Sequence, residues 1–234
     1  MRKIIQYIPL CLILALYIVL GNIAIPLKEA VEVATGNYFN HLTVVLDAGH
    51  GGKDNGASAN GILEDELNLA VTLKLKDKLE MMGATVLLTR DDDYDLASDS
   101  ALNRKREDMA KRAEIINTSG AVMFLSIHMN KYSSSSVSGA QVFYRVNDDA
   151  SKLLAECLQA KLGEYLGTNK HVKIGNYYIL NETDINGVLI ECGFISNNEE
   201  AQRLQDDSYQ DKLVSSIIKG IYEYIELTSA NVLR

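Results

Sequence analysis

The sequence predicts an α/β fold: a single layered domain built on a mainly parallel, twisted sheet flanked by helices. Three observations predict it. Short apolar runs at 42–46, 84–88, 121–127 and 187–190 alternate with longer stretches of helical periodicity. The run at 121–127 is apolar almost throughout, as in a strand covered on both faces. The 234 residues suffice for one core of ordinary size, and no internal repeat or second domain is visible.

The amino terminus stands apart from this domain. Arg2 and Lys3 precede an apolar run at 8–25 that is interrupted by Asn22 and contains Pro9 and Gly21. The run approaches the ~20 residues that cross a bilayer, and basic residues ahead of it direct the remainder outward. Small residues do not coincide at the −3 and −1 positions of a cleavage site: Gly21 pairs with Ile23, and Asn22 with Ala24. An uncleaved membrane anchor is therefore favoured over a cleaved signal peptide. The expected boundaries are 1–26 for the anchor or signal, 27–41 for a linker, 42–228 for the globular domain and 229–234 for a tail. A net charge of −8 without any basic block argues against nucleic acid as a partner. Cys11, Cys157 and Cys192 show no paired spacing, which excludes a disulfide framework or a cysteine zinc site as organising features.

The first strand, 42–46, runs into Asp47 and a glycine-rich loop that presents His50. Gly49, Gly51, Gly52, Gly56 and Gly61 fall within thirteen residues, so the loop has little bulk of its own. It closes on Glu64, at the start of a helix. Phosphate-binding readings fail. Lys53 is followed by Asp54 rather than Ser or Thr, and Asp47 stands where a P-loop needs its first glycine. Asp54 also takes the third glycine's place in a dinucleotide loop. Two readings stay open: a plain strand-to-helix loop with an incidental histidine, and a histidine and a carboxylate facing an open, glycine-lined space, as a catalytic metal site requires.

The helix at 64–82 carries Leu67, Val71, Leu75 and Leu79 on one side and stops at Gly83. The strand at 84–88 follows, closed by Thr89 and Arg90. Asp91, Asp92, Asp93, Asp95 and Asp99 crowd the next loop. An EF-hand fails there, because Leu96 occupies the glycine position and Leu102 the bidentate glutamate's, leaving a solvated loop. The helix at 101–117 sets Leu102, Met109, Ala113 and Ile116 against a strongly charged face. The buried strand at 121–127 ends in His128. A serine-rich loop at 131–138, a strand at 139–146, a helix at 150–166 and a further strand at 174–180 come next. The strand at 187–190 ends in Glu191, and a helix at 208–227 completes the chain.

Parallel sheets place ligands outside the carboxyl ends of their strands. His50, His128 and Glu191 all fall just beyond such an end, and Glu64 joins them from the following helix. Two histidines and one carboxylate match a catalytic zinc shell, with a second carboxylate free to move protons. On residue types alone the liganding carboxylate stays open among Glu64, Asp65, Glu66 and Asp47.

These residues carry a resemblance. Asp47-Ala-Gly-His-Gly-Gly, Leu63-Glu64 with Asn68-Leu69, Ser126-Ile-His-Met-Asn130, and Leu189-Ile-Glu-Cys-Gly-Phe-Ile-Ser-Asn197 with Glu199-Glu200 resemble the signature blocks of the zinc-dependent N-acetylmuramoyl-L-alanine amidases, over about residues 42–226. The resemblance implies zinc ligands at His50, Glu64 and His128, and a catalytic glutamate at Glu191. It selects Glu64 over Glu66, because the ligand precedes the Asn-Leu pair by four residues. Asp95-Leu-Ala97, Arg104-Lys-Arg-Glu-Asp108, Lys111-Arg112, Gly139-Ala-Gln141 and Thr168-Asn-Lys170 are similar to the family's sporulation- and germination-specific branch.

That likeness implies hydrolysis of the amide between the lactyl group of N-acetylmuramic acid and L-alanine in the peptidoglycan of spore cortex. The bare muramic acid is then available for muramic-δ-lactam and germination. Asn186-Gly187 replaces a proline-containing pair, and Met129 a smaller residue. Arg112 is expected to pair structurally, and His41 and His171 to lie on the surface. No wall-binding repeat is visible, so wall affinity is expected from the catalytic groove, a membrane anchor on the outer face or an activating protein partner. Two alternatives stay open: a non-catalytic peptidoglycan-binding protein on an amidase scaffold, and a zinc peptidase of other specificity.

Overall fold

The structure, a computed structural model, describes residues 39–232, with side chains through 229. The expected anchor at 1–26 and most of the linker lie outside the described residues. Among the described residues no helix is long and apolar enough to cross a membrane.

A six-stranded sheet forms the middle layer. Its strands are β1 (Thr43–Ala48), β4 (Thr85–Leu88), β5 (Met123–Asn130), β6 (Gln141–Tyr144), β7 (Lys173–Ile174) and β8 (Asn186–Phe194). The spatial order is β4-β1-β5-β8-β6-β7, and β6 against β8 is the antiparallel pairing. The mainly parallel α/β architecture expected from the sequence is thus present. A two-stranded hairpin, β2 (Ser58–Ala59) with β3 (Ile62–Leu63), lies within the glycine-rich loop.

Helices cover both faces. They are α1 (Glu64–Met81), α2 (Arg104–Thr118), α3 (Asp149–Leu166), the single turn α4 (Tyr178–Asn181), α5 (Asn198–Gln205) and α6 (Asp207–Val232). On one face Val45, Phe124 and Leu189 of successive strands pack with Ala113 and Ile116 of α2 and with Ile179 and Leu180 of α4. The alternate residues Val44, Leu46, Leu125, Ile127, Val188 and Ile190 are also fully buried, towards the layer of α1, α3 and α6. Burial on both sides explains why these strands read as continuous apolar runs.

Local signals set the helix ends. Leu67, Val71, Leu75 and Leu79 are buried as the four-residue spacing requires, and α1 stops at Gly83, whose φ of 94° suits glycine. Asn103 caps α2 by accepting from the Arg106 N–H, and Asp148 caps α3 by accepting from the Ser151 N–H.

Several expectations are corrected. Residues 174–180 do not form one strand. A Cβ on Gly175 would stand 2.6 Å from Tyr177 Cδ2, so the chain folds back tightly there and continues as α4. The final helical region starts earlier, as α5 and α6, with Asn197 capping α5. Leu102 precedes α2 and is fully exposed rather than part of its apolar face. The aspartate loop is more than solvated: Asp93 accepts from the Gly52 N–H, and Asp95 from the Lys53 N–H and Arg104. Gly187 has a steric reason, since a Cβ there would stand 1.9 Å from Phe124 Cε1 on the paired strand.

Candidate metal centre

The site is built where β1, β5 and β8 run side by side. His128 pairs directly with Glu191 in the parallel β5–β8 register, so both side chains leave the same face of the sheet. Neither residue lies beyond its strand, as the sequence reading had them. Both strands continue, to Asn130 and Phe194, because the Ile195 N–H still finds the Asn130 carbonyl.

His50 stands two residues past β1. The Gly49 N–H donates to the Ile127 carbonyl at 3.0 Å, carrying the β1–β5 ladder one step further. The chain then turns sharply, with φ of 61° at His50, 122° at Gly51 and 62° at Gly52. A Cβ at either Gly51 or Gly52 would lie 2.6 Å from backbone of the aspartate loop. Glycine is therefore required at both for close approach as well as for φ.

Glu64 is the first residue of α1, delivered by the β2–β3 hairpin and the 3.0 Å bond from its N–H to the Ala57 carbonyl. Its Oε2 accepts from the Ala57 N–H at 2.8 Å. Its Oε1 lies 2.9 Å from His128 Nδ1 and 3.3 Å from His50 Nε2. One donor atom from each of His50, Glu64 and His128 lies within 4.8 Å of the other two. The His50 Nδ1 on the far side of the ring meets Asp54 Oδ2 at 3.0 Å, which fixes the ring and directs Nε2 inward.

Charge follows geometry. Burial pushes the Glu64 carboxyl up, but hydrogen bonds and charge from His128 and His50 outweigh it and hold the group far below the usual carboxylate range. Burial lowers His50, yet Glu64 and Asp54 raise it on balance. Anionic neighbours that attract a proton also attract a cation. Glu191 differs: burial, with repulsion from Glu64 and against the pull of His128, pushes its carboxyl up to about 7. Its Oε2 is buried without a hydrogen-bond partner.

A cavity of about 400 Å³ opens over these groups, with Lys105, Lys131, Tyr177 and Tyr178 also on its wall. Of the other carboxylates, Asp47 lies below the cup in a buried ion pair with Arg112, Asp65 turns its unpartnered Oδ1 elsewhere, and Glu66 is exposed. None joins the three-residue cluster. His41 and His171 are also outside it. Sequence reasoning gave no role to Asp54 and used Asn68 only as a marker of Glu64; Asn68 donates from Nδ2 to the Gly49 carbonyl and Glu64 Oε1. The signal for Asn68 was its position one helical turn after Glu64.

Comparisons with known proteins agree on one family. Residues 44–223 match the family model Amidase_3, N-acetylmuramoyl-L-alanine amidase. The chain is 40% identical over 186 residues to the germination-specific N-acetylmuramoyl-L-alanine amidase of Bacillus subtilis (strain 168), covering 77% of this chain and 78% of that protein. It is 35% identical over 185 residues to the N-acetylmuramoyl-L-alanine amidase LytC of the same organism, covering 78% of this chain and 35% of LytC. Among solved structures, the CwlD amidase from Clostridioides difficile, in complex with the GerS lipoprotein, superposes with a TM-score of 0.77 at 40% identity, covering 80% of this chain and 99% of that one. The chain belongs to the N-acetylmuramoyl-L-alanine amidase family, enzymes that act on peptidoglycan.

Proposed function

We propose that this amidase is zinc-dependent, with His50, Glu64 and His128 as ligands and Glu191 as the proton-transferring group, and that it strips stem peptides from muramic acid in spore cortex. The observation that carries the reading is the convergence of His50 Nε2, Glu64 Oε1 and His128 Nδ1 beside the buried, unpartnered Glu191 Oε2. Two imidazoles and one carboxylate suit zinc, and a three-residue shell leaves a position open. When bound, zinc supplies a Lewis acid that polarises a carbonyl and acidifies water.

The protein's own groups do the rest. Glu64 stays ionised and anchors both histidines. Asp54 holds His50 in the tautomer that leaves Nε2 free. Glu191 removes a proton from the attacking water and returns one to the L-alanine nitrogen as the carbon–nitrogen bond breaks, yielding a lactyl carboxylate and a free amine. A carboxyl poised near 7 suits both halves of that task.

The cortex role rests on the likeness to the germination-specific relative. The complex of CwlD with GerS supports a protein partner for this chain too. Residues 1–26 would anchor it on the outer face of the membrane, with 27–41 as linker, 42–228 as catalytic domain and 229–234 as tail. Mass spectrometry of wall fragments after incubation with the zinc-loaded protein tests the reaction. Free stem peptide beginning at L-alanine is expected. Cleavage between amino acids would make the protein a peptidase of other specificity, and tight wall binding without cleavage would make it a binding scaffold.

A further inference from the structure

Two arginines, Arg90 at the end of β4 and Arg112 in α2, are each only 1% exposed. Burying a guanidinium is costly unless charge or hydrogen bonds offset it. Arg112 has that offset: its Nη1 meets Asp47 Oδ1 and its Nε meets Asp108 Oδ2, each at 2.8 Å. Arg90 does not. Its hydrogen bonds go to four backbone carbonyls: Ala48 from Nε at 2.9 Å, Asp92 from Nη1 at 3.0 Å, and both Gly49 and Asp65 from Nη2 at 3.0 and 2.9 Å. Among the described residues it forms no carboxylate ion pair.

The choice of carbonyls is informative. Gly49 directly precedes His50, and Asp65 directly follows Glu64. One nitrogen therefore ties together the backbone beside two members of the metal cup. Arg112 completes the set, donating from Nη1 to the Ala48 carbonyl at 2.7 Å and from Nη2 to the His50 carbonyl at 2.6 Å. Three consecutive carbonyls, Ala48, Gly49 and His50, thus all receive guanidinium N–H groups. They belong to the turn in which His50 is held at a φ of 61°, a conformation a non-glycine residue keeps only where its surroundings over-determine it.

We propose that Arg90, assisted by Arg112, is a positioning residue that sets the separation of His50 and Glu64 and so pre-shapes the cup for its metal. Lysine cannot substitute, because a single ammonium on a flexible stem cannot hold four carbonyls in a fixed fork. The inference rests on the reading of His50, Glu64 and His128 as metal ligands.

The test is Arg90→Lys in the full chain, with zinc affinity measured by chelator competition, the absorption spectrum of the cobalt-loaded form, and thermal unfolding of the metal-free form. A folded variant with zinc affinity reduced about 10–100-fold and an altered cobalt spectrum is expected. Parent-like affinity and spectrum, with only a lower unfolding temperature, would overturn the proposal and leave Arg90 a structural group. If Arg90→Lys does not fold, Arg112→Lys, whose charge stays between Asp47 and Asp108, is read in the same way: unchanged affinity and spectrum overturn it. The ligand reading fails separately, if the parent takes up no zinc or His128→Ala binds it as tightly as the parent.

Discussion

The imidazole of His128 lies directly against the α-carbon of Gly49. A Cβ built on Gly49 would stand 2.2 Å from His128 Cε1 and 2.3 Å from Nε2. Gly49 is not among the residues at positive φ, so alanine suits the backbone there and the nearest conflict is with the ring. Gly49→Ala is therefore expected to fold but to displace His128, with zinc content and turnover falling at least about tenfold, in the range set by disturbing a metal's supporting groups. Metal analysis on the gel-filtered protein checks this. A variant with parent-like zinc content would show that His128 is not needed where it stands.

The proposed ligands and the proposed proton carrier are separable by substitution. His50→Ala, Glu64→Ala and His128→Ala should each lose both zinc and activity. Glu191→Gln keeps the shape and leaves the three-residue cluster intact, so it should retain zinc while turnover drops by about 10²–10⁴-fold. Atomic spectroscopy and release of free stem peptide, measured on the same samples, decide it. Near-normal turnover in Glu191→Gln would remove Glu191 from the reaction.

Glu191 should also cost the metal-free protein stability. Its carboxyl is raised from 4.5 to about 7, with burial the leading cause. Below pH 4.5 it is protonated in folded and unfolded chains alike and has no effect. As pH rises through 7 the folded state bears the full cost of ionising a buried group, on the order of 3 kcal/mol. Glu191→Gln is expected to raise the melting temperature of the metal-free protein at pH 8 and to leave it nearly unchanged at pH 4. Equal effects at both values would refute this account of the group's environment.

The ion pair beneath the cup should work in the opposite direction. Asp47 is buried, and the Arg112 guanidinium with the Ser126 and Thr89 hydroxyls outweighs that burial, holding its carboxyl below the usual range. Its contribution is present above the unfolded value and disappears as pH falls through the lower, folded one. Asp47→Ala strands Ser126, Thr89 and half of the Arg112 pairing, and should cost about 3–5 kcal/mol in urea unfolding at pH 7. A loss under 1 kcal/mol would mean that Asp108 alone suffices for Arg112.

Much of the fold was legible because its strands are buried on both faces and its helices repeat at four residues, as Leu67 to Leu79 do. The members of the cup stood out as polar residues where apolar runs ended, although β5 and β8 run on past His128 and Glu191. The hairpin at 58–63 was hidden in a glycine-rich loop whose strands are only two residues each. The turn at Tyr178 read as a strand because Ile179 and Leu180 are apolar for packing against α2, not for alternation. Arg112 was expected to pair, but the carbonyl contacts of Arg90 left no trace. Arg90 and Gly49 are 41 residues apart, and a side chain bonding to a carbonyl makes no demand on the identity of the residue that owns it.

Positions 50, 128 and 191 come together through parallel strand pairing, and position 64 joins them from the start of α1. No fragment of the chain short of residue 191 holds all four groups, and an unfolded chain of any length holds them apart. Glu191 therefore meets the other three groups only where β8 lies between β5 and β6 in the finished sheet.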